Sequence, residues 1–419
     1  MQRSRESRAR SRTDDVRVSS PPRRWSFAAL LAALTMPGPF AIDMYLPAFS
    51  AIAKEFDAPT LAVQQTLSAY MFAYAFMMLW HGALADALGR RPVIFAGIAV
   101  YALASLGCAI SGNIESLWLF RALQGVSAGT GLVVGRAIVR DRFHGDEAQR
   151  LMAQVTLMFG LAPALAPVVG GAVVNLLGWR AVFWVMVAFS VVLCAWAARQ
   201  LPETLPPASR QPLRLHVMQR NYRSVIARRE FLLLASMPAL NFCGFFIYIA
   251  VAPAFLQQLG VTTWGFAWLF VPMIAGIMLG ATLSGHLAGR IERRRQIAIG
   301  YACMATGVAL DAAAVAWLAP SVPWHVLPIG VYTFGSSLMT PPFTLLLLDL
   351  FPTMRGLASS LQGFVQFAFG GFVSGTIAPM LASSLAGLAT GMAGFAAVSY
   401  ALWIVYRSQH PSLNQDVHP

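Results

Sequence analysis

Apolar stretches long enough to cross a bilayer recur along almost the whole chain, and this repetition limits the fold more than any other feature. A hydrocarbon core about 30 Å thick takes roughly 20 apolar helical residues to cross. Read with that length, twelve spans fall at about 26–47, 61–82, 93–112, 116–137, 152–175, 180–199, 231–256, 265–287, 297–318, 325–348, 357–380 and 384–406. Only 11% of the residues are charged, against about 25% in an ordinary soluble protein. Backbone in lipid must satisfy its own hydrogen bonds, which a helix does within one segment. The expectation is an all-α membrane protein with no room for a soluble domain.

The net charge of +13 raises the question of a nucleic-acid partner, and its placement answers it. Eight of the 29 arginines lie between Arg3 and Arg24, and seven more between Arg199 and Arg229. Most of the rest cluster at 90–91, 136–150 and 290–295. With twelve spans, all these segments fall on one side, while the other receives only Lys54 and Arg180. This is the bias that sets membrane orientation, with basic loops and both termini in the cytoplasm. No nucleic-acid role is needed. The first 25 residues read as a disordered basic tail. The first apolar run is longer than a signal-peptide core and lacks a convincing cleavage site, so it is expected to stay as helix one. The four cysteines all fall within spans, far apart, with no spacing for a disulfide frame or a metal.

The stretch 200–229 is the only long polar interruption, and it divides the spans six and six. A repeat is visible across it. GALADALGRRPVI (82–94) matches GHLAGRIERRRQI (285–297) at an offset of 203, so Arg90 aligns with Arg293. VRDRF after span four faces LLDLF after span ten, so Asp141 aligns with Asp349 at an offset of 208. The chain is therefore expected to comprise a tail (1–25), a six-helix half (26–199), a linker (200–229), a second, pseudo-symmetric half (230–407) and a short tail (408–419). Parallel repeats of this kind are the architecture of transporters that rock two halves about a site near the midplane.

Two charges stand inside spans of the first half. Asp43 lies in PFAIDMYLPAF, near the far end of span one, and Arg121 opens RALQGVSAGTG in span four. Span one enters from the inside and span four from the outside, so both fall in the outer part of the membrane. Ions at such depth cost several kcal/mol and mark functional sites by default. Burial disfavours a carboxylate's charge and a nearby cation favours it, so such a pair can load and release a proton. The plainer reading is that Asp43 caps or kinks helix one beside Pro47.

At this point the sequence resembles the major facilitator superfamily, over essentially the whole chain after the tail. Its turn motif, Gly-x-x-x-Asp-x-x-Gly-Arg-Arg, is met by Gly82, Asp86, Gly89, Arg90 and Arg91. Arg-x-x-Gln-Gly in span four, here Arg121, Gln124 and Gly125, resembles the proton-coupling motif of its drug:proton antiporters. GLAPALAPVVGG in span five, with Gly160, Pro163, Pro167, Gly170 and Gly171, resembles the antiporter motif. With Asp43, Tyr45, Leu46 and Pro47, the chain looks most like the bicyclomycin/chloramphenicol-resistance (Bcr/CflA) branch. The resemblance implies a gating turn in which Asp86 meets the start of span eleven, a proton carrier at Asp43 assisted by Arg121 and Gln124, and a bendable span five. Two features depart from the pattern: His81 precedes the turn glycine, and Gly289 replaces the second-half aspartate. His81 reads as an interfacial residue, and Asp311 in span nine as a structural one.

A pocket for lipophilic compounds needs apolar and aromatic walls with a few polar anchors. Tyr45 is one candidate in the first half. Asn241, Phe245 and Tyr248 on span seven share one helical face, as do Gln362 and Gln366 on span eleven. Gly276, Gly280 and Ser284 on span eight form a small-residue face that could receive span five. No phosphate-cradling GxxxxGK[ST] occurs, so the expected energy source is the proton gradient, without cofactor or metal. The expectation is a proton-coupled drug exporter of a bacterial inner membrane, working as a monomer on lipophilic drugs. The rival within the class is an efflux carrier for a sugar, amino acid or siderophore. A membrane enzyme would need a constellation of His, Asp or Ser at one face, and the seven histidines are scattered.

Overall fold

The structure, a computed structural model, describes residues 24–143, 151, 155, 163, 165–261, 265–352 and 354–409. The described residues form helices and connecting turns, without a strand. Ten helices are long and apolar enough to cross a membrane, and one bent pair supplies an eleventh span. Of the expected fifth span, the described part is the apolar helix Leu165–Leu177, α8.

Span one is broken where the sequence concentrates proline. Helix α1 (Arg24–Thr35) stops before Pro37, and α2 (Pro37–Asp43) restarts after it. Pro37 and Pro39 donate no backbone hydrogen bond, so the ladder cannot pass through. Pro47 begins a 3-10 turn, Leu46–Ala48, before α3 (Phe49–Glu55). The two arms of this span, Ser26–Thr35 and Pro37–Glu55, meet at 45°.

The rest of the first half comprises α4 (Thr60–Leu88), α5 (Arg90–Ala109), α6 (Ile114–Ala128), α7 (Thr130–Arg142), α8 and α9 (Trp179–Gln200). Gly129 joins α6 and α7 into one span, Ile114–Arg142. Asn113 starts it, its Oδ1 accepting from Ser116 N–H at 2.8 Å. The stretch read as a linker contains a helix, α10 (Leu215–Ile226), whose Tyr222 Oη donates to Leu79 O. The second half comprises α11 (Arg229–Ala250), α12 (Ala252–Gln258), α13 (Phe266–Leu287), α14 (Arg293–Trp317), α15 (Leu327–Asp349), α16 (Arg355–Phe372), α17 (Ala378–Leu381) and α18 (Leu385–Gln409). A π-helical turn, Val373–Ile377, links α16 to α17 within one span.

The N-terminal and C-terminal helices meet along two lines. Helix α4 packs along α16, and at the end opposite the arginine-rich loops the Leu46–Ala48 turn packs on α12. A pocket of about 180 Å³ lies beside that second contact, lined by Pro47, Ser50, Pro253 and Gln257 among others. Toward the arginine-rich end, α7 and α15 each keep an exposed face, at Arg136 on one and at Pro341 and Leu345 on the other. The bundle is thus drawn together at one end and open at the other.

Candidate functional site

The break in span one creates the site. Pro37 and Gly38 turn their carbonyls toward neighbouring helices, where they accept from Tyr101 Oη of α5 at 3.1 Å and Tyr70 Oη of α4 at 3.0 Å. These two bonds fix the phenol rings against span one. Arg121, on α6, is fully buried. Its guanidinium lies 4.3 Å from the centroid of the Tyr45 ring and 4.6 Å from that of Tyr70. Desolvated cation–π contacts of this kind are each worth about 0.5–2 kcal/mol. Arg121 Nη1 donates to Gln124 Oε1, and Gln124 Nε2 donates to Ser105 Oγ at 2.7 Å. Tyr45 Oη and Thr66 Oγ1 share a hydrogen bond of 2.7 Å. Arg121, Gln124 and Tyr45, all singled out in the sequence, are therefore one assembly.

Asp43 ends α2, two residues before Tyr45, and is 6% exposed. No ion pair between Asp43 and Arg121 is formed; the cation is held by aromatic faces and Gln124 instead. Tyr70 stands in the electrostatic field of both charges. The side chain of Asp43 makes no helix-capping hydrogen bond among the described residues, so the plainer capping reading has no support in the geometry. What is present is a buried carboxylate without a fixed counter-ion, one tyrosine away from a buried cation.

An aromatic chain, missed in the sequence, carries this site across to the second half. Tyr70 and Tyr74 lie 5.9 Å apart by ring centroids, and Tyr74 packs at 4.4 Å on Phe367 of α16. Phe367 reaches Phe242 of α11 at 6.4 Å, and Phe242 stacks on Phe246 at 4.8 Å and meets Phe245 at 5.2 Å. Among the C-terminal candidates, Phe245 belongs to this cluster. Gln362 donates to Thr344 Oγ1 at 3.2 Å, and Gln366 is half-buried one turn along α16. Asn241 and Tyr248 lie elsewhere than expected. Asn241 Nδ2 approaches Met339 Sδ of α15 at 3.5 Å, and Tyr248 Oη donates to Asp311 Oδ2 of α14 at 2.6 Å. Tyr248 is thus engaged between helices rather than open to the cavity, and Asp311 is a buried, hydrogen-bonded acid.

The turn motif is tied down within its own half. Gly89 takes φ +105°, a conformation that favours glycine. Arg90 pairs with Asp86, four residues back, and its Nε donates to Asp141 Oδ2 at 3.0 Å. Glu203, from the segment after α9, accepts from the N–H groups of Arg90 and Arg91 at 3.0 and 3.2 Å. A carboxylate is favoured at that helix N-terminus. Gly82 lies against Val133 of α7, where an added Cβ would still have ordinary contact. Asp86 therefore pairs with Arg90 here instead of meeting span eleven. The repeat seen in the sequence recurs as geometry: Arg293 pairs with Asp349 at 2.8 Å, as Arg90 does with Asp141. The aspartate missing from the second copy has a local reason. Helix α13 ends at Leu287 and Gly289 takes φ +74°, so the chain turns where Asp86 still continues a helix.

Of the antiporter motif, Gly160 lies outside the described residues. Pro163 is half-buried, and Pro167, Gly170 and Gly171 are buried. A Cβ on Gly170 would fall 2.4 Å from Met44 O and 2.7 Å from Met44 Cα. Helix α8 thus runs backbone to backbone against the residue that follows Asp43. The small face of α13 has another partner than span five: Gly276 packs on Gly330 O and Gly280 on Phe334 O, both in α15. His81 is also a correction. It is buried rather than interfacial, with Nε2 3.0 Å from Thr130 Oγ1 and 3.1 Å from Val126 O.

Comparison with known proteins agrees with this architecture. Residues 31–375 match the family profile described as Major Facilitator Superfamily. The chain is 30% identical to a bicyclomycin resistance protein homolog of Haemophilus influenzae, over 84% of this chain and 89% of that one. It is 33% identical to YdgK of Bacillus subtilis, described as an uncharacterized MFS-type transporter, over 84% and 88%. Multidrug resistance protein D of Escherichia coli is 26% identical over 80% and 84%. Among solved structures, a bacterial homolog of the lysosomal transporter Spinster, inward-facing and unoccupied, superposes with a TM-score of 0.72 at 16% identity, over 94% and 99%. A D-xylose–proton symporter superposes with a TM-score of 0.68 at 15% identity, over 90% and 97%; at such identities the likeness is one of fold. With its matched profile, its relatives and its fold in agreement, the chain belongs to the major facilitator superfamily.

Proposed function

We propose that this protein is a drug:proton antiporter that exports lipophilic compounds across a bacterial inner membrane, with both termini cytoplasmic. The observation that carries the reading is the buried carboxyl of Asp43, unpaired and one tyrosine removed from the clamped Arg121. Burial favours the protonated form and the cation the charged form, so small changes in hydration or distance can reverse the balance. Such changes accompany opening to one side and then the other. Tyr45 and Tyr70 hold Arg121 so that the cation stays in place while Asp43 alternates, and Gln124 fixes the guanidinium's orientation through Ser105.

Protonation from outside would let the empty site close and reopen inward. Release of the proton inside would accompany drug binding, and outward transport would follow. The close approach of α8 to Met44 gives span five a direct mechanical connection to the segment that carries Asp43. The Arg90–Asp86–Asp141 cluster, with Asp86 freed to meet α16 when the inner end closes, is the gating element of this cycle. No cofactor is invoked; the proton gradient supplies the energy, and one chain holds both halves of the path. The names of the relatives support drugs over a small metabolite as the cargo, since two of the three are resistance proteins.

The test is transport by purified protein in liposomes under an imposed pH gradient, with phenicols, bicyclomycin, a quinolone and lipophilic cations as cargo. Uptake of at least one compound, abolished when the gradient is collapsed, is the expected result. A protein that moves none of them but carries a sugar, amino acid or siderophore would replace drug export with metabolite efflux.

A further inference from the structure

One charge within the spans takes no part in the proton site. Arg136 lies midway along α7, exposed although it stands in a membrane-spanning segment. Helix α7 is packed on three sides, by α1, α4 and α5. Gly131 touches Leu34 of α1, Thr130 lies against Gly97 of α5, and Val133 faces Gly82 of α4. At 100° per residue, Arg136 points away from the α5 side, between α1 and α4. Helix α5 exposes Val100 and Leu103 on its own outer face, so lipid lies behind it and Arg136 faces the space between the halves. Tyr74, the ring that packs on Phe367 of the opposite half, lies within electrostatic range of Arg136, as does Arg140 one turn along α7.

The guanidinium forms no hydrogen bond or ion pair among the described residues. Its counterpart at the 208-residue offset is Thr344, which accepts from Gln362, so the facing wall offers amide and hydroxyl groups and no carboxylate. Away from the helix ends, the acids of the described spans are Asp43 and Asp311, both buried, with Asp311 bonded to Tyr248. Glu55, Asp86, Glu115, Asp141, Glu230 and Asp349 stand at helix ends, and Asp86, Asp141 and Asp349 are already paired with Arg90 or Arg293.

We infer that Arg136 is a binding group for cargo, and that the preferred compounds are amphipathic molecules presenting a carboxylate or a cluster of acceptor oxygens, with lipophilic cations disfavoured. This inference rests on the export reading. An unpaired guanidinium offers a planar fork of donors suited to carboxylate and carbonyl oxygens. The aromatic chain from Tyr74 to Phe246 would take the apolar part of the same molecule. A permanent cation would meet the Arg136 charge, while the nearby acids at the helix ends, Asp86 and Asp141, are held by Arg90.

The experiment compares nalidixate, chloramphenicol and tetraphenylphosphonium as cargo of wild type, Arg136→Gln and Arg136→Lys in liposomes, with fluorescence-quench binding of each compound to the same purified proteins. Wild type is expected to bind and carry nalidixate and chloramphenicol with at least tenfold lower KM and Kd than tetraphenylphosphonium. Arg136→Gln should raise both constants for nalidixate at least tenfold and leave those for tetraphenylphosphonium unchanged or lower. Arg136→Lys should restore nalidixate at least in part. Wild type that prefers tetraphenylphosphonium, or Arg136→Gln with unaltered nalidixate constants, would overturn the inference while leaving export intact. Wild type that transports none of the three would remove the export reading, and the binding preference alone would then decide the role of Arg136. If Arg136→Gln does not fold, the wild-type preference and the Arg136→Lys constants carry the test.

Discussion

Replacing Gly170 by alanine adds one methyl group at the place where α8 meets Met44. The new Cβ would fall 2.4 Å from Met44 O and 2.7 Å from Met44 Cα. Ordinary carbon–oxygen contacts lie near 3.3–3.6 Å, so the two backbones must part by about 1 Å. Overpacking of this kind costs roughly 1–3 kcal/mol. Alanine returns about 1 kcal/mol through its higher helix propensity, which leaves a net destabilisation of about 0–2 kcal/mol. Function should suffer more than stability, because the displaced residue follows Asp43 directly. A shift of about 1 Å at a positioned group can cost on the order of 10²-fold in rate. We expect proton-driven drug exchange in liposomes to fall by about 10- to 100-fold while the thermal unfolding midpoint in detergent moves only slightly. Gly135→Ala on α7 is the control, since nothing lies within 4 Å of its added Cβ; it should keep exchange and gain up to about 1 kcal/mol. If Gly170→Ala behaves like Gly135→Ala in both measurements, the close approach of α8 to span one does not govern the site.

Three further outcomes are expected. Arg121→Lys keeps the charge but loses the planar stacking on Tyr45 and Tyr70, so it should lower stability by about 1–3 kcal/mol and slow exchange; unchanged melting and exchange would show that the ring contacts contribute nothing. The repeated ion pairs should differ in weight, because the Arg90 side chain is 9% exposed and that of Arg293 49%. Unfolding midpoints should then show a loss of about 1.5–3 kcal/mol for Arg90→Ala and about 0–1 kcal/mol for Arg293→Ala, and equal losses would refute the burial argument. Glu203→Gln weakens the negative cap on the start of α5 and should cost about 0.5–2 kcal/mol, read by the same unfolding assay, with Asp141→Asn compared to separate the cap from the Arg90 cluster.

Much of the bundle was legible in the sequence because the bilayer simplifies the problem. Span lengths are set by its thickness, and eleven of the twelve expected segments meet a spanning helix or bent pair, with limits that differ by up to eight residues, most at the end of span one. The pairing of Arg90 with Asp141 and of Arg293 with Asp349 was implicit in the repeat, since equal offsets at equal turns place equal partners. Contacts between helices were harder to read. The small stripe on α13 signals close approach but carries no information on which helix approaches, and α15 is the partner rather than span five. The clamp on Arg121 was missed because Tyr70 looks like an ordinary apolar helix residue. The signal available was that a buried guanidinium needs partners and that aromatic faces supply them. Helix α10 was hidden by the prolines and arginines around it, although Met218, Tyr222 and Val225 recur at helical spacing.

The central claim is that Asp43 carries the coupled proton, and Asp43→Asn separates the two activities it joins. Asparagine keeps the shape and stays neutral, so drug–drug counterflow across liposomes without a pH gradient should persist, while accumulation driven by a pH gradient and drug-induced proton movement should both disappear. Full gradient-driven accumulation by Asp43→Asn, with a proton moved for each drug as in wild type, would contradict the account.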